Sequence, residues 1–142
     1  MLYQEIVTRV SAYSIVSIAV DIIDRINILQ ATLLGMKQAV EQLDPQPDLA
    51  LIDGNRAPVL TVPCRTIIKG DQLEACISAA SILAKVSRDR YMLEQHQHYP
   101  CYGFDRNKGY PTPDHLQSLP AHGPCDIHRR SFAPVRQLTL PL

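Results

Sequence analysis

Two aspartates stand where two apolar runs give out. Asp53 closes Leu51-Ile52-Asp53-Gly54-Asn55, and Asp71 follows Ile67-Ile68-Lys69-Gly70. A carboxylate at the end of a buried strand is fixed by the sheet while its oxygens face solvent, an arrangement that suits a hard divalent cation. The two lie eighteen positions apart in sequence, which suggests one shared site. Each also has a plainer reading. Asp-Gly is a common tight-turn dipeptide, and a hairpin between Leu51 and Val59 would want it for backbone reasons alone. Asp71, with Glu74 three residues on, has the spacing of a helix N-cap and its partner. The spacing alone leaves both alternatives open.

Other residues offer weaker chemistry. Lys69, Lys85, Arg88, Lys108, Arg129 and Arg130 are either a solvated face or phosphate contacts, and Lys85, beside Ser81, is placed to reach a phosphate. Arg88 and Asp89 are as well suited to internal ion pairing. Tyr110, in Lys108-Gly109-Tyr110-Pro111, reads on its own as a loop aromatic packed under the following helix. His96, His98, Cys101, Cys125 and His128 raise the rival idea of a structural zinc module. The paired spacing that marks zinc fingers is absent, however, and three of these residues crowd one helix end.

The elements that must position these groups follow from periodicity. Leu2, Ile6 and Val10 predict a helix over the first dozen residues, with no capping residue ahead of it. Tyr13 to Val20 is apolar apart from its serines and predicts a largely buried strand, central or nearly so. Asp21 is then a candidate cap for a helix with a stripe Ile22, Ile26, Leu29, Leu33, Met36, Val40 and Leu43, stopped by Pro45 and Pro47. Leu49 to Ile52 predicts a short strand, and Thr61 to Ile68 a second, interrupted by Pro63. Strand, helix, strand in this order predicts a crossover unit. A long helix is expected from Asp71 toward Tyr99, with small residues Ala75, Ser78, Ala79, Ala80, Ser81 and Ala84 bringing it close to the sheet. Beyond Pro100 the chain reads as loop, then a short helix from Thr112-Pro113 to Gly123.

Composition narrows the class. With 142 residues the chain fits one domain, residues 1–142, with no linker. Hydrophobic residues at 46% and charged residues at 20% argue against disorder and fibrous structure. Fourteen basic and fourteen acidic residues cancel, so there is no global pull toward nucleic acid. From Arg88 onward, however, Arg88, Arg90, Arg106, Lys108, Arg129, Arg130 and Arg136 outnumber Asp89, Glu94, Asp105, Asp114 and Asp126. The four cysteines, Cys64, Cys76, Cys101 and Cys125, form no Cys-x-x-Cys pair and are expected to be reduced thiols. No apolar run reaches the roughly 18 residues of a membrane span and no leader is evident, so a soluble, cytoplasmic protein is expected.

The order of motifs is similar to that of the bacterial ribonucleases HII. Leu51-Ile52-Asp53-Gly54 and Lys69-Gly70-Asp71 are followed by Ser78-Ala79-Ala80-Ser81-Ile82-Leu83-Ala84-Lys85-Val86-Ser87-Arg88-Asp89-Arg90. Then come Tyr102-Gly103-Phe104, Lys108-Gly109-Tyr110-Pro111-Thr112 and His128-Arg129-Arg130-Ser131-Phe132-Ala133-Pro134-Val135, so the likeness runs from about Leu2 to Val135. The family's opening strand with an Asp-Glu pair, its Gly-Arg-Gly turn and its Asp-Ser-Lys-Lys segment do not occur in the sequence. The resemblance implies an α/β, ribonuclease H-like mixed sheet flanked by helices, N-terminally truncated with respect to the family fold. It implies an endonuclease that cuts the RNA strand of RNA/DNA hybrids, and ribonucleotides embedded in duplex DNA, by two-metal-ion phosphodiester hydrolysis in replication and repair. Asp53 and Asp71 match two of the family's four catalytic, metal-binding carboxylates, and Mn²⁺ or Mg²⁺ is the implied cofactor. Tyr110 matches the tyrosine that senses the ribose at an RNA-to-DNA junction. Lys69, Lys85 and Lys108 are the accompanying nucleic-acid contacts, and no obligate protein partner is implied. The alternatives are a hybrid-binding remnant with impaired or no catalysis, and the zinc module above.

Overall fold

A computed structural model describes residues 2–107, 112, 116, 127 and 128. The chain forms two compact units, Met1–Ile18 with Leu29–Ser87 and Ala19–Ile28 with Arg88–Leu142. The architecture is α/β, with a small parallel sheet flanked by helices.

In the first unit, α1 spans Leu2–Arg9, as its apolar spacing predicts. The expected strand over Tyr13–Val20 does not form. Residues 12–19 are irregular, with alternate positions half-buried and exposed. The segment lies along the following helix: the Ser14 hydroxyl donates to Gln42 Oε1 at 3.0 Å, and Ile18 Cγ1 is 3.3 Å from where a Cβ on Gly35 would stand. Four steps of this segment thus match seven helical residues, about 13 Å of extended chain against about 10 Å of helix. A strand needs a neighbour to exchange hydrogen bonds with, and none pairs with this segment among the described residues.

Helix α2, Val20–Glu41, is not the uninterrupted helix expected: Asn27 sits at φ 71, ψ 168 and kinks it. That combination lies outside the left-handed helical region asparagine tolerates and in one occupied essentially by glycine, so the backbone is strained at this residue. The break leaves Ile28 and Leu29 exposed and only Ala31 fully buried. Asp21 is not the cap. The Ala19 carbonyl takes the Ile22 and Ile23 N–H groups, while Asp21, inside the first turn, pairs with Arg25 at 3.7 Å on the exposed face. At the other end the Gln46 side-chain amide donates to the Glu41 carbonyl at 3.3 Å and to the Val40 carbonyl at 3.0 Å, which also takes the Leu43 N–H.

Strands β1, Ala50–Asp53, and β2, Cys64–Ile67, pair in parallel with register Ala50↔Cys64 through Asp53↔Ile67. Their hydrogen bonding extends by one rung at each end, Ala50 N–H to Pro63 O and Gly54 N–H to Ile67 O. Ala50 and Ile52 are buried, which accounts for the apolar run. The long helix expected from Asp71 is two helices. A four-residue α3, Gly70–Leu73, packs on β1, and α4, Ala75–His98, follows after Glu74 adopts an extended conformation (φ −124, ψ 124). The residues that α4 buries are Ile77, Leu83 and Met92, whereas Ala75, Ala80, Ser81 and Ala84 face solvent. Close approach to the sheet is made by Gly70, not by that small-residue stripe.

In the second unit, α4 ends at His98 and a 3-10 turn, Pro100–Tyr102, leads through Gly103 at φ 68 into α5, Phe104–Asn107. Gly103 occupies the left-handed region that favours glycine. Met92, Tyr102 and Phe104 form a buried cluster, edged by Tyr99 and Ile127. The rings of Tyr102 and Phe104 stack at 5.3 Å, and His128 meets Tyr102 edge-on at 4.7 Å. Asn107 Nδ2 donates to the Tyr102 carbonyl, closing the loop from within. Leu116 N–H donates to the Thr112 carbonyl at 2.9 Å, one turn of the expected short helix; the rest of that helix lies outside the described residues. No described helix is long and apolar enough to cross a membrane.

Candidate metal centre

The parallel pairing settles one ambiguity. Asp53-Gly54 does not turn a hairpin, because the next strand runs in the same direction and is reached through residues 54–63. Asp53 is the last residue of β1, and β2 ends level with it, at Ile67. Two residues further on, Lys69 adopts a left-handed conformation (φ 55, ψ 39), which turns the chain back toward β1. The N–H of Gly70 then donates to Asp53 Oδ1 at 3.0 Å. Asp71 is the next residue, in the first turn of α3.

Asp71 is not a helix cap. The cap position is Lys69, with no side-chain hydrogen bond, and the far end of α3 is tied by Glu74 N–H to Gly70 O at 2.8 Å. Both aspartates are exposed, so their carboxylate oxygens face solvent with no competing structural employment beyond the single bond to Asp53 Oδ1. Such an oxygen-only donor set suits Mg²⁺ or Mn²⁺, which accept one or two carboxylates and keep several waters. Asp53 and Asp71 are the residues that would hold the ion, and they form a partial set: among the described residues no three His, Cys, Asp or Glu side chains come together.

The remaining candidates divide. Lys69 is exposed and directly precedes the carboxylate turn. Lys85 is exposed on α4, about 12 Å along the helix beyond Ile77, which packs on Gly70. Lys108 and Tyr110 lie outside the described residues, as do Arg129, Arg130 and Cys125. The other members of the zinc idea do not converge. His128 is buried among aromatic rings, His96 Nδ1 faces Asp105 at 3.5 Å, beyond a good hydrogen bond, and His98 sits edge-on to Tyr99. Cys64, Cys76 and Cys101 are free thiols. Sequence reasoning missed Gly70 as a contact of Asp53; the signal for it was a glycine immediately ahead of a candidate ligand, Asp71.

The fold that carries this pair of carboxylates is that of the ribonuclease H2 class: the crystal structure of ribonuclease H2 from Pyrococcus horikoshii OT3 superposes with a TM-score of 0.80 over 96% of this chain and 72% of that one, at 20% identity. The Ribonuclease HII family model matches residues 1–135, and the chain belongs to that family. It is 57% identical over 136 residues to Ribonuclease HII of Burkholderia ambifaria and, equally, to that of Burkholderia pseudomallei strain 668. These matches cover 96% of this chain but 63% and 64% of those relatives, so the chain spans less than two thirds of their length.

Proposed function

We propose that this chain carries part of the metal centre of a ribonuclease H type endonuclease acting on RNA/DNA hybrids and on ribonucleotides embedded in duplex DNA. The observation behind this reading is the Gly70 N–H to Asp53 Oδ1 bond of 3.0 Å. It draws the Asp53 carboxylate and the Asp71 turn to the same end of two parallel strands, in a chain of the ribonuclease HII family. Asp53 and Asp71 serve as ligands for Mn²⁺ or Mg²⁺. When bound, such ions activate water and stabilise the leaving oxygen of a phosphodiester. Lys69 and Lys85 neutralise phosphates on either side, Lys108 adds a third cation, and Tyr110 lies against the ribose whose 2′-hydroxyl separates RNA from DNA. The residues 1–142 act as one domain of this type, in the cytoplasm, where the free thiols stay reduced.

The test is cleavage of an end-labelled DNA duplex carrying a single ribonucleotide, with Mn²⁺ present and Asp71→Asn as control. Cutting at the ribonucleotide that disappears in the control supports the proposal. Binding without cutting makes the chain a hybrid-binding module. Neither binding nor cutting overturns both readings.

A further inference from the structure

We propose that Gly70 is a positioning residue for the carboxylate pair. Its N–H holds Asp53 Oδ1 so that Oδ2 is presented to a divalent cation as a single-oxygen ligand. This inference rests on the reading of Asp53 as a ligand.

Three features of the turn carry it. The pairing at Asp53↔Ile67 and the Gly54 N–H to Ile67 O bond beyond it fix the Asp53 backbone, while its side-chain oxygens lie outside the ladder. The left-handed Lys69 aims the next N–H back across the strand end, and the resulting bond of 3.0 Å fixes one carboxylate oxygen. Oδ2 makes no hydrogen bond among the described residues. Finally, Gly70 is buried, and a Cβ there would stand 2.6 Å from Ile77 Cδ1 and 3.5 Å from both Asp53 Cα and Asp53 Oδ1. A methyl would therefore push on Ile77, itself only 5% exposed, and a branched side chain would push on the carboxylate as well. Because Asp71 follows directly, the same turn sets where the second carboxylate leaves the backbone. A carboxylate held through one oxygen suits the near-octahedral, singly bonded coordination of Mg²⁺ and Mn²⁺ better than a freely rotating one.

The experiment is Mn²⁺ titration of the 142-residue chain, read by the electron paramagnetic resonance of free Mn²⁺, on the wild type, Asp53→Asn, Gly70→Val, Gly70→Ala and Gly70→Ala/Ile77→Val. Asp53→Asn and Gly70→Val are each expected to weaken binding about ten-fold or more, the usual effect of losing a ligand's supporting contact. The double variant should stay within about three-fold of wild type, since Ile77→Val removes the Cδ1 atom that a new methyl would meet. A through-bond nuclear coupling between the Gly70 amide nitrogen and the Asp53 carboxyl carbon, recorded without metal, should be present in wild type and the double variant and absent in Gly70→Val. If Gly70→Val does not fold, Gly70→Ala takes its place. A lost coupling with unchanged Mn²⁺ affinity overturns the positioning role while leaving Asp53 a ligand. Unchanged affinity in Asp53→Asn overturns the ligand reading, and the positioning role with it.

Discussion

Replacing Asp53 in two ways separates its structural duty from its chemical one. Asp53→Asn keeps an oxygen that can accept the Gly70 N–H, whereas Asp53→Ala leaves that N–H without its partner. A hydrogen bond to a charged acceptor, with the donor stranded on its removal, is worth about 1.5–3 kcal/mol. Here the Asp53 side chain is exposed, so water can reach the vacated position and the expected cost falls to about 1–2 kcal/mol. Unfolding entropy near 2 cal/mol/K per residue gives about 0.3 kcal/mol/K for a 142-residue chain, so Asp53→Ala should lower Tm by roughly 3–7 °C. Asp53→Asn should stay within about 2 °C of wild type yet lose Mn²⁺-dependent cleavage. Circular-dichroism melts of the three proteins, with cleavage measured on the same samples, check this. Equal Tm values for the alanine and asparagine variants would refute the argument that the Gly70 bond anchors the strand end, and cleavage by Asp53→Asn would refute the metal role.

Further outcomes follow from other contacts. Asp71→Asn should abolish cleavage while changing urea-unfolding stability by no more than about 0.5 kcal/mol, because Asp71 is exposed and caps nothing. Phe104→Ala, which empties a position only 1% exposed between Tyr102 and His128, should cost about 3–5 kcal/mol in the unit that contains it, seen as earlier loss of amide-exchange protection over Met92 to Asn107. Asn107→Ala should cost about 1–3 kcal/mol by removing the buried hydrogen bond from Asn107 Nδ2 to the Tyr102 carbonyl, measured the same way. Lys69→Gly relieves a left-handed non-glycine residue and should leave stability within about 1 kcal/mol of wild type, while lowering the salt dependence of hybrid binding by about one phosphate contact. An unchanged salt slope would remove Lys69 from the nucleic-acid contacts.

Much of the candidate site is legible in the sequence because it is written locally. An apolar run followed by Asp-Gly places Asp53 at the end of β1, and another followed by Lys-Gly-Asp places Asp71 in the turn beyond β2; α1 and β1 fall where spacing and the apolar run put them, and β2 occupies the second half of its expected run. Local pattern could not decide the rest. Tyr13 to Val20 has the composition of a strand, but a strand exists only through a neighbour, and among the described residues it runs unpaired along α2. The stripe from Ile22 to Leu43 describes one helical face, yet Asn27 breaks it. Asp-Gly fits a hairpin as well as a parallel strand end, and only the direction of β2 distinguishes them. The small residues of α4 suggested close packing on the sheet, but the helix turns Ile77, Leu83 and Met92 inward instead. The sequence by itself determined which residues could carry the chemistry, since carboxylates, lysines and the family motifs are properties of residue type and order. The tertiary structure alone decided that the Gly70 N–H reaches Asp53, because that contact joins positions seventeen apart through strand register, a left-handed turn and the room left by a missing side chain.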